Sequence, residues 1–485
     1  MNRHLTFASL FGAGLLLSGC MVGPKYVKPT APLTPSFKEQ SPEYFKEGAE
    51  WTPSTPQDQA FRGKWWELFG DPELNALEDE LTVSNENLKV VEARLRQARS
   101  VIRFNRAAQF PTITTSPNFA NERQSANQPY FPLSQVNNGT GSFTMPFDLS
   151  YEVDLWGKIR RTVTASREEA QATAADVETA SLSLHSELAV DYFELRSADA
   201  QKQLLDETVK DYADALELTQ NRFEGGAAPK SDVAQAKTQL DAARVQDTDI
   251  TVIRAQYEHA IATLIGKPPA EFRVSFSPKT PLQLPSIPVS LPSVLLERRP
   301  DIAANERRVA EANDQIGIAR AAFFPSLILG AQGGFTGTSI INWFNWPSRM
   351  WAVGSQISEP LFDAGRRSAV TQSATANYDG TVASYRQTTL TAFQEVEDNL
   401  AALRILETEA VQQERATASA AEALQLFTNR YEGGVDNYLQ VITAQTVLLT
   451  NQRNDIDIKR RRMDASVLLV KAVGGGWDTT QLPKY

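Results

Sequence analysis

One phrase, written twice, limits what this chain can fold into. NRFEGG at residues 221 to 226 returns as NRYEGG at 429 to 434, 208 residues further on. Val233 with Val441, Ala236 with Ala444, Thr238 with Thr446 and Leu240 with Leu448 match at the same offset. A self-similar chain is read as two copies of one unit before anything else. Each copy runs in the same order. A helical segment ends in RAAQFP (106 to 111) or RAAFFP (320 to 325), where proline stops it. Two short alternating segments follow, then a very long helix, the glycine turn and another long helix.

The long helices are legible from what they lack. Residues 156 to 222 contain no proline and only Gly157; residues 366 to 432 contain no proline and only Gly380. At 1.5 Å per residue each would run roughly 100 Å, which points to a coiled coil or a helical tube. Val209, Tyr212, Leu216, Thr219 and Phe223 step by three and four, as do Thr417, Ala420, Leu424, Phe427 and Tyr431. That is a heptad seam. The other positions are mostly small or polar, so the apolar stripe is narrow and one face is left wet, as in a stave of a hollow barrel.

The alternating segments read as strands. In 143 to 155 every odd position is apolar, from Phe143 to Leu155, while the even positions include Asp148, Glu152 and Asp154. A period of two over thirteen residues is a strong strand signal. Residues 112 to 121, 326 to 336 and 350 to 362 are weaker strands at matching places. This length suits a tilted strand crossing an outer membrane, with the three acids facing a lumen. A half-buried strand of a soluble sandwich carries the same alternation. Trp343, Phe344, Trp346 and Trp351 lie before or within the last strand, where an interfacial girdle or a buried aromatic cluster would both place them. Four strands cannot close around a pore, so a wide barrel would need several chains.

Composition narrows the function. With 48 basic against 58 acidic residues the net charge is −10, which argues against a nucleic-acid partner. The three histidines are far apart, no catalytic motif stands out, and neither a metal nor a cofactor is expected. Residues 1 to 20, MNRHLTFASLFGAGLLLSGC, carry an export signal too short to span a membrane. The only cysteine, Cys20, stands at the cleavage position, and Met21 rather than aspartate follows it. An ordinary signal with a chance cysteine would look similar. No later stretch reaches the ~18 apolar residues of a spanning helix.

With these features in hand, the chain resembles the TolC-like outer membrane factors, in the lipoprotein branch that serves resistance-nodulation-division efflux pumps. The phrases carrying the resemblance are CMVGPKYVKP from Cys20, WWELFGDPELNALE (65 to 78) and LPSVLLERRPDIAANERRVAEANDQIGIARAAFFPSL (291 to 327). EPLFDAGRR (359 to 367), RYEGGVDNYLQVITAQ from Arg430 and VLLVKAVGGGW ending at Trp477 complete them.

The resemblance implies a mixed α/β membrane protein: a homotrimer with four strands per chain in one twelve-stranded barrel, continued by a periplasmic helical barrel. It implies that Cys20 carries N-palmitoyl and S-diacylglycerol lipid. It also implies an outer-membrane exit duct for small molecules, with an adaptor protein and an inner-membrane pump as partners. The expected divisions are a signal at 1–19, a tether and equatorial segment at 20–70, repeat 1 at 71–265, a proline-rich linker at 266–300, repeat 2 at 301–472 and a tail at 473–485. The hairpin tips, 222–231 and 430–438, would dock the adaptor through Arg222, Phe223, Gly225, Gly226, Arg430, Tyr431, Gly433 and Gly434. By position Leu439 matches an apolar constriction. Thr443 and Thr446 replace charged residues that relatives place near their gate, leaving Asp232, Asp436 and Glu432 as acidic candidates. A purely periplasmic scaffold or adaptor is the competing class; an adaptor would have one helical hairpin, and this chain has two.

Overall fold

The computed structural model describes residues 21–39, 63–123, 125, 139–278, 285 and 296–485. Cys20 and the signal at 1–19 lie outside the described residues, as do parts of the expected tether and proline-rich linker.

Two short helices, α1 (Pro72–Ser84) and α2 (Glu86–Ala107), lead into the sheet. Asp71 starts α1 by accepting the amides of Glu73 and Leu74, and Asn85 starts α2 by accepting from Leu88. Strands β1 (Thr112–Thr115), β2 (Asn118–Glu122) and β3 (Thr140–Val153) come next. They are followed by α3 (Lys158–Glu224, 67 residues) and α4 (Lys230–Leu264, 35 residues). The second set is α5 (Pro300–Ala321), β4 (Ser326–Gly337), β5 (Arg349–Ser358), α6 (Arg366–Glu432) and α7 (Tyr438–Ala472). Helix α6 again has 67 residues and α7 again has 35.

The sheet is antiparallel, in the order β1/β2, β3, β4, β5. The expected first strand, 112 to 121, is two pieces, because Ser116-Pro117 interrupts it and proline cannot donate to a ladder. Both pieces pair with β3. Strand β3 begins three residues earlier than its alternation and stops at Val153, two residues short. Strand β5 ends at Ser358, so Glu359, Leu361 and Phe362 lie beyond it.

Helices α2, α3, α5 and α6 join one end of this sheet; the β4–β5 turn lies at the other. Helix α3 packs on α2, α4, α5 and α7, and α6 packs on α5 and α7. Each long helix begins with the same device. Gly157 and Gly365 turn the chain, while Asp154 accepts the amides of Ile159 and Arg160 and Asp363 accepts those of Gly365 and Arg367. These carboxylates serve amides that have no partner within the helix.

The main core lies midway along the bundle, where Phe37, Trp65, Trp66 and Phe69 pack against Leu188, Tyr192 and Val467. Two polar knots cross it. His185 Nδ1 lies 2.6 Å from Glu78 Oε2, and the Trp66 ring stacks on the imidazole at 4.4 Å. Burial pushes the Glu78 carboxyl well up and the His185 imidazole down to about 4, which holds the pair neutral. Asp199, fully buried, takes Arg196 at 2.9 Å and Arg254 at 2.6 Å, and those arginines hold the carbonyls of Ser275 and Val274. Removing Asp199 would leave Arg196 with only Glu73 and Arg254 with only Glu258 as carboxylate partners, and so weaken this knot.

The segment 21–39, part of the expected tether and equatorial segment, is docked along the bundle. Arg161 donates to the carbonyls of Val22 (2.8 Å) and Pro24 (3.1 Å) and pairs with Asp314 at 2.5 Å. Glu397 accepts the amides of Lys38 and Glu39, and Phe37 is buried against Phe393.

Candidate functional site: a two-faced sheet and paired hairpin tips

Register separates the sheet into two chemically different faces. Phe143, Met145, Phe147, Leu149, Tyr151 and Val153 of β3 stand beside Leu327, Leu329 and Phe335 of β4. Trp351, Val353 and Ile357 of β5 continue that face and are 78, 76 and 73% exposed. Large apolar side chains in such numbers are not left bare to water. The opposite face carries Thr112, Thr114, Thr144, Asp148, Ser150, Glu152, Gln332, Thr336 and Gln356. The sheet is apolar on one side and polar on the other, and its outer strands are unpaired among the described residues.

The three predicted lumen acids have separated. Asp148 lies on the polar face and accepts from Gln332 at 2.7 Å. Glu152 is there too, 3.4 Å from Lys158. Asp154 is not on a strand: its carboxylate caps α3 and pairs with Arg160 at 3.0 Å. Alternation alone could not tell the last polar position of a strand from a helix cap. The aromatic residues also divide. Trp343 is buried among Phe119, Phe143 and Phe344, whereas Trp346 and Trp351 are exposed.

At the far end of the helices the two glycine turns have nearly superposable geometry. Ala227 N donates to Arg222 O (2.7 Å) and Gly226 N to Phe223 O (3.0 Å); Val435 N donates to Arg430 O (2.9 Å) and Gly434 N to Tyr431 O (3.0 Å). These are paired Schellman closures. Only the second glycine of each pair is left-handed, with φ of +74° at Gly226 and +73° at Gly434. Gly225 and Gly433 are right-handed helix caps at −75° and −73°, so the requirement for positive φ does not extend to them.

The two tips of one chain touch. Arg222 donates to Glu432 O at 2.9 Å and lies 4.7 Å over the Tyr431 ring. Tyr431 and Tyr438 are buried together, with ring centroids 5.1 Å apart, beside Ala236 and Val441. Phe223, the counterpart of Tyr431, is instead exposed. Arg430, the counterpart of Arg222, turns back on its own loop and holds Asp436 at 2.6 and 3.1 Å, which keeps that carboxyl below its usual range. Asp436 is thus tied into the turn. The sign of this difference is in the sequence, since the first copy has Ala228 where the second has Asp436. It carries no meaning until the tips are seen side by side.

Leu439 and Thr443 share an exposed face of α7, opposite the buried Tyr438, Val441 and Ala444. The Thr443 hydroxyl donates to Leu439 O at 2.9 Å and is spent on its own helix. Thr446 accepts from Gln239 of α4 at 3.1 Å. Asp232 lies in the first turn of α4, with Ser231 at 3.4 Å. Glu432 offers its backbone carbonyl to Arg222.

A two-faced sheet joined at one end to helices roughly 100 Å long is the arrangement of a channel subunit. No helix among the described residues is long and apolar enough to cross a membrane. The chain belongs to the outer membrane efflux protein family, whose model matches it over residues 77–267 and 291–475. It is 33% identical over 484 residues to the toluene efflux pump outer membrane protein TtgF of Pseudomonas putida, covering 99% of this chain and 98% of that one. Its fold is similar to the outer membrane channel CmeC of Campylobacter jejuni, with a TM-score of 0.87 at 24% identity over 95% of this chain and 96% of that one. It is also similar to the outer-membrane channel OprN, with a TM-score of 0.84 at 28% identity, over 94% of this chain and all of the other. The protein is an outer-membrane efflux duct.

Proposed function

We infer that three copies close into one duct, each adding four strand positions to a twelve-stranded barrel and four long helices to a periplasmic tunnel. The observation that carries this reading is the sheet itself: a bare apolar face, a polar face and outer strands unpaired among the described residues. Pairing β5 of one copy with β1/β2 of the next removes every edge and turns the apolar face to lipid. Exposed apolar residues on the helices, such as Val245, Val252, Ile405 and Leu426, are then covered by neighbouring staves.

The two tips of each chain give a rim of six hairpins. Arg222, Phe223, Gly225, Gly226, Arg430, Tyr431, Gly433 and Gly434 form its end surface, to which a periplasmic adaptor docks, with a resistance-nodulation-division pump behind it. Leu439 supplies the apolar constriction, and Thr443 beneath it adds no charge. Cys20 carries the lipid; Met21, which follows it, lies against Gly157 at the start of α3. The cargo is small molecules, solvents or drugs among them. Asp148 and Glu152 bias the lumen toward cations.

The test is to purify the mature protein in detergent, weigh it by native mass spectrometry and record it in planar bilayers. Conducting trimers are expected. Monomers or dimers, or silent trimers, would sink the reading. In fractionation, Cys20→Ser is expected to stay in the outer membrane through an alkaline wash; release into the wash would mean that no barrel holds it.

A further inference from the structure

Arg349 opens β5 at the outer end of the sheet, the end away from the helices. It pairs with Phe335 and so lies on the apolar face, two residues before Trp351. Its guanidinium carbon stands 3.9 Å over the ring of Trp346, which is 75% exposed. The Arg349 backbone N–H donates to Trp346 O, but its guanidinium makes no hydrogen bond or ion pair among the described residues. The ring covers one flat side of the guanidinium and leaves its edge donors free.

An arginine at the rim of an apolar band calls for an anion, and this chain offers almost none. Glu122 is the only carboxylate between Pro111 and Phe147, and residues 326 to 358 contain no acid. Glu122 pairs with Thr140, which sets it on the Asp148 face, across the sheet from Arg349. A second copy beside β5 would bring only its own Glu122, again on the Asp148 face and across the sheet from Arg349. Arg123 and Arg349 leave this end net positive. The counter-ion must come from outside the protein.

We propose that Arg349, backed by Trp346, binds the phosphate group of an outer-leaflet lipid, a phosphorylated glycolipid, at the outer rim of the sheet. This rests on the channel reading, which sets the apolar face in the bilayer. Trp346 and Trp351 have the amphipathic rings that sit at headgroup level, and the exposed Ile340 and Ile341 are apolar enough to lie among acyl chains. Guanidinium meets phosphate through two parallel donors, which an ammonium cannot do. The stack on Trp346 holds that fork in one plane.

The test uses delipidated full-length protein titrated with diphosphoryl lipid A, with its dephosphorylated form and with inorganic phosphate, reading bound lipid by native mass spectrometry. Wild type is expected to prefer the phosphorylated lipid roughly tenfold. Arg349→Ala should lose that preference, with Arg349→Lys and Trp346→Ala in between. Equal binding by wild type and Arg349→Ala would overturn the proposal, as would equal retention of the dephosphorylated lipid. Complete displacement by equimolar inorganic phosphate would reassign the site to a free anion. Conductance of the same samples is read alongside. A silent wild type defeats the channel reading, whereas lost lipid preference with conductance intact defeats only the headgroup site.

Discussion

Arg222 reaches from the end of α3 to the end of α6, donating to the Glu432 carbonyl at 2.9 Å and lying 4.7 Å over the Tyr431 ring. Its duplicate, Arg430, is held at home by Asp436. One substitution between the copies, alanine at 228 against aspartate at 436, thus gives two identical arginines different work. The link joins hairpins within a chain; Arg430, bound in its own loop, is not free to make the matching link to a neighbouring chain. The hairpin pair is thereby biased to move as a unit.

Arg222→Ala should loosen the tips without unfolding the tunnel. The lost hydrogen bond and cation–π contact amount to about 1–2 kcal/mol. Hydrogen exchange is expected to quicken in residues 222–240 and 430–445 while trimers persist, and bilayer recordings should show longer openings. Unchanged exchange at both tips would mean that the link is incidental.

The glycines should separate into two classes. Gly226→Ala and Gly434→Ala force a side chain into left-handed backbone, at about 1–2 kcal/mol each. Gly225→Ala and Gly433→Ala should be nearly silent, because a Cβ there meets nothing nearer than the Asn221 or Asn429 carbonyl at 3.4 Å, an ordinary contact. Bulky or charged replacements at any of the four are expected to leave trimers intact and abolish adaptor crosslinking. Comparing melting temperatures of the four alanine variants checks the first claim, and equal losses at all four would refute it.

Ion selectivity should follow the faces. Asp148→Asn and Glu152→Gln are expected to lower the cation preference of the open duct, measured as reversal potential across a salt gradient. Asp154→Asn should leave selectivity unchanged and lower thermal stability by about 1 kcal/mol, since its carboxylate is engaged in capping α3. A wild-type duct that prefers anions would contradict the assignment of the polar face to the lumen.

Stability should fall as pH rises through the range of Asp464. This residue of α7 meets Arg460 at 2.8 Å, and Arg460 is also held by Glu194 and Asp457. Burial first, then the Glu194 charge, pushes the Asp464 carboxyl up to about 7. Burial and the neighbouring Glu187 and Glu194 likewise push Asp191 up to about 6. Each folded-state value lies above the unfolded one, so between about pH 4 and 7 the native state binds more protons. The melting temperature should therefore decline from pH 5 to pH 7.5. Asp464→Asn should flatten that decline; a wild-type protein most stable at pH 7.5 would contradict it.

Much of the architecture was legible because it follows from local rules. The proline-free stretches became helices within two residues of their expected ends, and a period of two sorted the β3 side chains onto the correct faces, for backbone geometry alone fixes those repeats. The resemblance of the motifs pointed to the family that the comparisons then gave. Less legible were positions where two segments compete for one group. Asp154 continues the strand alternation in sequence yet caps a helix in space. Ser116-Pro117 breaks a strand whose pattern runs on. The proline-rich 21–39 carries no sign of the groove that Arg161 and Glu397 make for it.

By itself, then, the sequence determined the duplication, the long helices, the two-faced strands and the glycine turns, because each is a matter of spacing along one chain. Only the tertiary structure decided which arginine crosses between hairpins, which acid faces the polar side of the sheet and which cation has no carboxylate within reach among the described residues. Those depend on groups 100 to 300 residues apart, and a side chain's charge acquires its role from whatever folding brings within a few ångströms of it.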